Sequence, residues 1–250
     1  MTDHNFSFRT DRYDFWPIYA AIKKYYPIGI SESLDESFPG RKEKEQIIVE
    51  NIHQPENFKS RWKDKISKWQ QELGLTIRST TYGQLPSFSA DVFLEEETYK
   101  DHILTKKIHL AVSLLGPFYT LFGVDQTDLF TESYKLEGRK GHFLNTHRMM
   151  VSPELEFKET FVKLRDLVED EFDGYRFVPY GMFSSTIEGL HLNFLHSGEL
   201  PRVYYALFDN MIDFNCPVDG DQFKYGCDQW YIENPNMEDY WTIYPPGYKP

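Results

Sequence analysis

Carboxylates and aromatic rings crowd the stretch from Asp209 to Tyr244. Between Asp209 and Asp239 stand eight acids, Asp209, Asp213, Asp219, Asp221, Asp228, Glu233, Glu238 and Asp239, against Lys224 alone, so more than half of the net charge of −12 sits there. Phe214, Phe223, Tyr225, Trp230, Tyr231, Tyr240, Trp241 and Tyr244 are interleaved with them. At a protein interface rings act as buried anchors and carboxylates steer a basic partner. The pattern therefore points to protein recognition, with Asp209, Asp213, Asp219, Asp221, Asp228, Trp230, Tyr231, Glu233, Asp239 and Trp241 as candidate partner-binding residues. The plainer reading puts the rings in the core and the acids in water. A different chemistry open to the same carboxylates is oxygen ligation of a hard divalent cation, Asp219-Gly220-Asp221 above all, which would make the chain a metal-dependent hydrolase or transferase. Asp-Gly-Asp is also ordinary turn chemistry, and the spacing lacks the other ligands of a cation loop, so no metal ligand is assigned.

Other constellations are weaker. His142 and His147 are five apart, as are His191 and His196. Residues five apart on a strand face opposite ways, which works against a two-histidine site, whereas His191 and Asn193 would share a face. Gly138-Arg139-Lys140-Gly141-His142 offers amides and cations to an anion, but with no helix N-terminus after it the segment reads as a hairpin turn. Cys216 and Cys227 lack CxxC spacing and a basic setting, so they read as reduced, idle thiols. The chain has no intact phosphate-loop, dinucleotide, nucleophile-elbow, zincin or EF-hand motif, and no cofactor is assigned.

These side chains need elements to position them, and the hydrophobic periods supply the outline. Phe15, Ile18, Tyr19, Ile22 and Tyr25 or Tyr26 recur at three and four, a helix ended by Pro27. Gly29 to Gly40 reads as a loop, and Arg41 to Ile52 as another helix. Phe58, Trp62, Ile66, Trp69 and Leu73 mark the clearest helix, with Pro55 in its first turn and Gly74 after its end; its other face carries Lys59, Arg61, Lys63, Lys65 and Lys68. That basic face is either solvated or docked on the acidic C-terminal part. Strand texture follows: Leu75 to Thr80, Asp91 to Glu95, Ile108 to Leu115 as a central strand, Phe118 to Val124 as its antiparallel neighbour, and His142 to Val151. Ser152 and Pro153 read as the cap and first turn of a second long helix, with Leu155, Phe157, Phe161, Leu164, Val168 and Phe172 on its apolar face. Tyr175 to Val178, Leu190 to Leu195 and Arg202 to Phe208 read as strands, and the tail from Asp209 as loop. The order gives an α+β fold: a mainly antiparallel sheet with N-terminal helices and one long inserted helix packed on it. One domain over residues 1–250 accommodates this, with a helical subregion at 1–74 and a sheet-containing region at 75–250.

Composition narrows the function classes. A pI near 5.1 works against nonspecific binding to nucleic acid or an anionic membrane, both of which reward a basic surface. The polar N-terminus and the lack of a long apolar run predict neither secretion nor membrane spanning, and a cytoplasmic setting with reduced thiols is the expectation.

The segment Ile108-His109-Leu110-Ala111-Val112-Ser113-Leu114-Leu115-Gly116-Pro117-Phe118-Tyr119-Thr120-Leu121-Phe122, with Arg202-Val203-Tyr204-Tyr205-Ala206-Leu207-Phe208, resembles the strand texture of bacterial polymorphic-toxin immunity proteins. The likeness covers about a tenth of the chain and carries over no functional residue. It implies a cytoplasmic, non-enzymatic inhibitor of a cognate toxin, and a basic toxin would suit the acidic tail.

Overall fold

The computed structural model describes residues 12–29, 37–136, 139–195 and 198–232. Glu233, Asp239 and Trp241 lie outside them.

The N-terminal helices form where the apolar period demands. Helix α1 (Trp16–Tyr25) buries Ile18, Tyr19, Ile22 and Tyr25 along one stripe, and Pro17 occupies its first turn. Helix α2 (Pro39–Ile48) runs into a π turn at Val49–His53. After an extended Gln54 the chain continues through α3 (Pro55–Phe58), a second π turn (Lys59–Lys63) and α4 (Asp64–Leu73), closed by Gly74 at φ +65. Trp62 lies flat on Phe88, ring centroids 5.2 Å apart. On the basic face Lys65 and Lys68 both bind Glu171, and Lys59 binds Asp64 of its own helix. Among the described residues, then, Lys59, Lys65 and Lys68 pair with acids of the helices and not with the tail.

Strands β1 (Thr76–Ser79), β2 (Ser87–Thr98), β3 (His102–Ser113), β4 (Phe118–Leu136) and β5 (Arg139–Met150) form an antiparallel meander. Two short strands join it in parallel, β6 (Arg176–Phe177) beside β4 and β7 (Val218–Asp219) beside β5. The architecture is α+β with a mostly antiparallel sheet. Both faces of the sheet are covered. Ile108, Leu110, Val112, Tyr119 and Leu121 pack under α4 and α5 (Lys158–Glu171), and Ala111, Phe122, Val124 and Met149 under α1, α6 (Tyr180–Phe183) and α7 (Val203–Leu207). No helix among the described residues is long and apolar enough to cross a membrane.

Three expectations fail, each for a physical reason. Arg202 to Phe208 is not a strand: Val203–Leu207 is helix α7, and because every residue from Val203 to Phe208 is buried, no polar side reveals a period. Leu190 to Leu195 is turn, with only Leu190 bridging to Ile28. Ser152 does not cap the long helix, since a 3-10 turn at Leu155–Phe157 intervenes and α5 starts at Lys158.

Phe157 from that turn is fully buried against Gly123 of β4, where a Cβ would stand 2.6 Å from its ring. Gly123→Ala should lower stability by about 1–3 kcal/mol, seen as a lower urea midpoint with an unchanged slope.

Candidate functional site

The tail is fixed to the sheet by a buried chain of charges. Asp91 of β2 and His109 of β3 are direct cross-strand partners, and Lys107, two residues before His109, shares its face. His109 Nδ1 lies 2.7 Å from Asp91 Oδ1 and its Nε2 lies 3.0 Å from Asp209 Oδ2. Lys107 donates to Asp91 Oδ2 at 2.7 Å, and the Tyr204 hydroxyl of α7 donates to Asp209 Oδ1 at 2.6 Å. The Met211 amide donates to the same oxygen. With a carboxylate at each ring nitrogen, His109 is a double donor, the imidazolium form. Burial alone would lower its pKa; Asp209, then Asp91, override this and raise it to about 9. Burial likewise pushes the two carboxyls up, and His109 chiefly, with Lys107 at Asp91 and Tyr204 at Asp209, holds both below the usual value.

This network is sealed. His109 is 2% exposed and Asp209 1%. Asp209 therefore belongs to the interior and not to a partner-facing surface, because a histidine 100 residues away in sequence claims it. Trp230 is also interior: its Nε1 donates to the Phe177 carbonyl at 2.7 Å, and the Arg176 guanidinium lies 3.8 Å from its ring centre.

Between these two anchors the expected acids do face solvent. Asp213, Asp219, Asp221 and Asp228 are exposed, and Tyr231 is 61% exposed with its ring edge-on to Tyr13. Asp221 Oδ1 accepts from the Phe223 and Lys224 amides, which fixes the turn that presents Phe223. Among the described residues no three His, Cys, Asp or Glu side chains are grouped to hold a metal, so Asp219-Gly220-Asp221 acts as turn chemistry here. Gly220, at φ +94, passes so close to Ser152 that a Cβ would stand 2.4 Å from its Oγ. Burial pushes both the Cys216 and the Cys227 thiol up to about 11, far from thiolate chemistry.

Two of the exposed acids, Asp221 and Asp228, line an open cleft of about 620 Å³. One side comes from Ser152, Pro153 and Glu154 after β5 and from Arg165 and Glu169 on α5; the other comes from Asp221 and the run Lys224 to Gln229. Phe177 and Tyr225 line it with rings 5.5 Å apart at 72°. Ser152 Oγ ties the two sides, accepting from the Asp221 amide and donating to Glu154 Oε1, both at 2.8 Å. The pairing of β7 with β5 continues that tie, with the Val151 amide on the Asp219 carbonyl. Tyr119, from the sheet, donates to Glu169 at 2.6 Å. Four carboxylates, Glu154, Glu169, Asp221 and Asp228, line the cleft against two cations, Arg165 and Lys224.

Beside the lining residues stand two large apolar side chains in water. Phe223, between Asp221 and Lys224, is 76% exposed, and Leu155, next to Glu154, is 66% exposed. Leu155 was expected on the buried stripe of the long helix. Instead it has φ +49, a left-handed backbone that disfavours a leucine by about 1–2 kcal/mol. The sequence pointed to Asp221 and Asp228 but not to Ser152, Glu154 or Leu155, whose apolar spacing looked helical.

Comparison of the chain with protein-family models, curated proteins and solved structures returns no match.

Stability should follow the buried charges. A raised imidazole contributes fully below its unfolded value near 6.5 and loses that contribution as pH rises through about 9. The two depressed carboxyls contribute above about pH 3.8 and lose it as pH falls through their lowered values. Urea unfolding should therefore show greatest stability from about pH 4 to 6.5 and a decline of about 3 kcal/mol toward pH 9. In His109→Gln that decline should vanish, and at pH 6.5 the variant should be about 3–5 kcal/mol less stable.

Proposed function

We propose that this chain is a non-enzymatic protein-binding module of the inhibitor kind, a cytoplasmic immunity protein that neutralises a basic toxin through the acidic, aromatic surface of its tail. One observation carries the reading. Between the anchors Asp209 and Trp230 the chain holds Asp213, Asp219, Asp221 and Asp228 in water together with exposed Met211 and Phe223, and Tyr231 follows directly. A soluble surface gains nothing from large bare side chains fixed beside carboxylates, whereas a docking surface uses both, the apolar groups for affinity and the charges for encounter. The anchoring adds to this, since a surface held in place before binding loses little entropy on association. A metal-dependent hydrolase or transferase has no comparable support, because among the described residues no three carboxylate, histidine or cysteine side chains are grouped to hold a metal.

A pull-down with the full chain, at about 50 mM and about 500 mM salt, tests the proposal. A stoichiometric protein partner retained at low salt and weakened at high salt is the expected result. No partner at either salt rejects the module, and a salt-insensitive complex rejects its electrostatic part. Asp228→Lys reverses an exposed charge, so capture should fall while stability stays within about 0.5 kcal/mol of the parent chain.

A further inference from the structure

We infer that Leu155, next in sequence to the cleft residue Glu154, is an apolar anchor of the docking surface, working with Phe223, which stands between the cleft residues Asp221 and Lys224, and that the segment they grip is a basic stretch of protein with an apolar side chain between its cations. This rests on the preceding proposal and assigns its contact residues and the class of segment they fit.

Leu155 combines two unfavourable choices at one position: a bulky side chain on left-handed backbone, and an apolar side chain in water. Glycine would remove both. Packing does not demand leucine there, because the hollow at Gly123 is filled by Phe157 two residues later. Phe223 is a second large apolar side chain in water, with its amide held by Asp221 and its ring bare. Two bare apolar side chains, each close in sequence to residues that line one cleft and on segments tied together by Ser152, form a ready pair of contacts.

The charge around them selects the occupant. Glu156, on the far side of Leu155, is engaged by Arg148 and Lys106, whereas Glu154 lines the cleft with Glu169, Asp221 and Asp228. Arg165, one of the two cations, is paired with Asp166. A second copy of this chain would bring acids to acids, and nucleic acid or an anionic lipid would meet the same repulsion. A basic protein segment is complementary, its cations to the carboxylates and its apolar side chain to Leu155 and Phe223.

The test uses the full chain and three synthetic peptides of equal length: arginine alternating with leucine, arginine alternating with glycine, and glutamate alternating with leucine. Calorimetric titration at low salt should show the arginine–leucine peptide binding about tenfold tighter than the arginine–glycine one, and the acidic peptide not at all. Leu155→Gly should abolish that preference while its melting temperature equals or exceeds the parent's, and Leu155→Asn, which tolerates left-handed backbone, should do the same. Phe223→Ala should lose the preference with melting unchanged. A preference that survives in both Leu155 variants overturns the anchor; equal binding of the two arginine peptides, or binding of the acidic one, overturns the assigned segment class. If no peptide binds while the pull-down yields a salt-sensitive partner, this inference fails and the protein-binding proposal stands; if the pull-down is also empty, both fall.

Discussion

The register of β2 against β3 and the start of the tail depend on one interaction, the imidazolium of His109 held between Asp91 and Asp209. An isolated ion in that interior would be heavily penalised, and breaking such a pair leaves its partner buried and uncompensated. The arrangement is tolerable only because Lys107 and His109 match the two carboxylates and Tyr204 and the Met211 amide both donate to the second oxygen of Asp209. It also makes the fold specific. A one-residue slip of β2 against β3 would carry Asp91 to the opposite face, under α4 and α5, with no cation to meet it. Register and the origin of the tail are fixed together.

That origin governs the surface around the cleft. From Asp209 the chain returns to pair β7 with β5, crosses Ser152 at Gly220, turns on Asp221 and is pinned again at Trp230. Few regular elements occur in this run, yet side-chain caps and short ladder contacts hold it at close intervals. The exposed acids and rings owe their positions to the buried ones, so Asp209 and Trp230 serve the surface without belonging to it.

The helices that were legible in the sequence are those with one wet face. Helices α1, α4 and α5 show their period because polar residues fill the gaps, and β3 and β4 show themselves through a Gly-Pro turn between apolar runs. Helix α7 is wholly buried and shows none. At the site, Asp221 and Asp228 were visible as local composition, and Asp209 looked identical to them because burial is decided by His109 across the fold. Leu155 was misplaced for the opposite reason: its spacing fits the helical stripe, and only the backbone angle before Phe157 turns it outward. Sequence period reports which side chains want burial; which acid is buried, and which leucine is not, are settled by contacts between distant segments.

The separation of Asp209 from its histidine has a consequence during synthesis. At roughly 5 to 20 residues per second, the ribosome delivers Asp209 about 5 to 20 s after His109. In that interval Asp91 has Lys107 and His109 beside it, and the ring lacks its second carboxylate. Arrival of Asp209 adds a negative charge that favours the protonated ring, so docking of this segment is coupled to the proton on His109. A segment made 100 residues after His109 is thus joined to β2 and β3 through a protonated ring, and its attachment is a protonation event as much as a packing one.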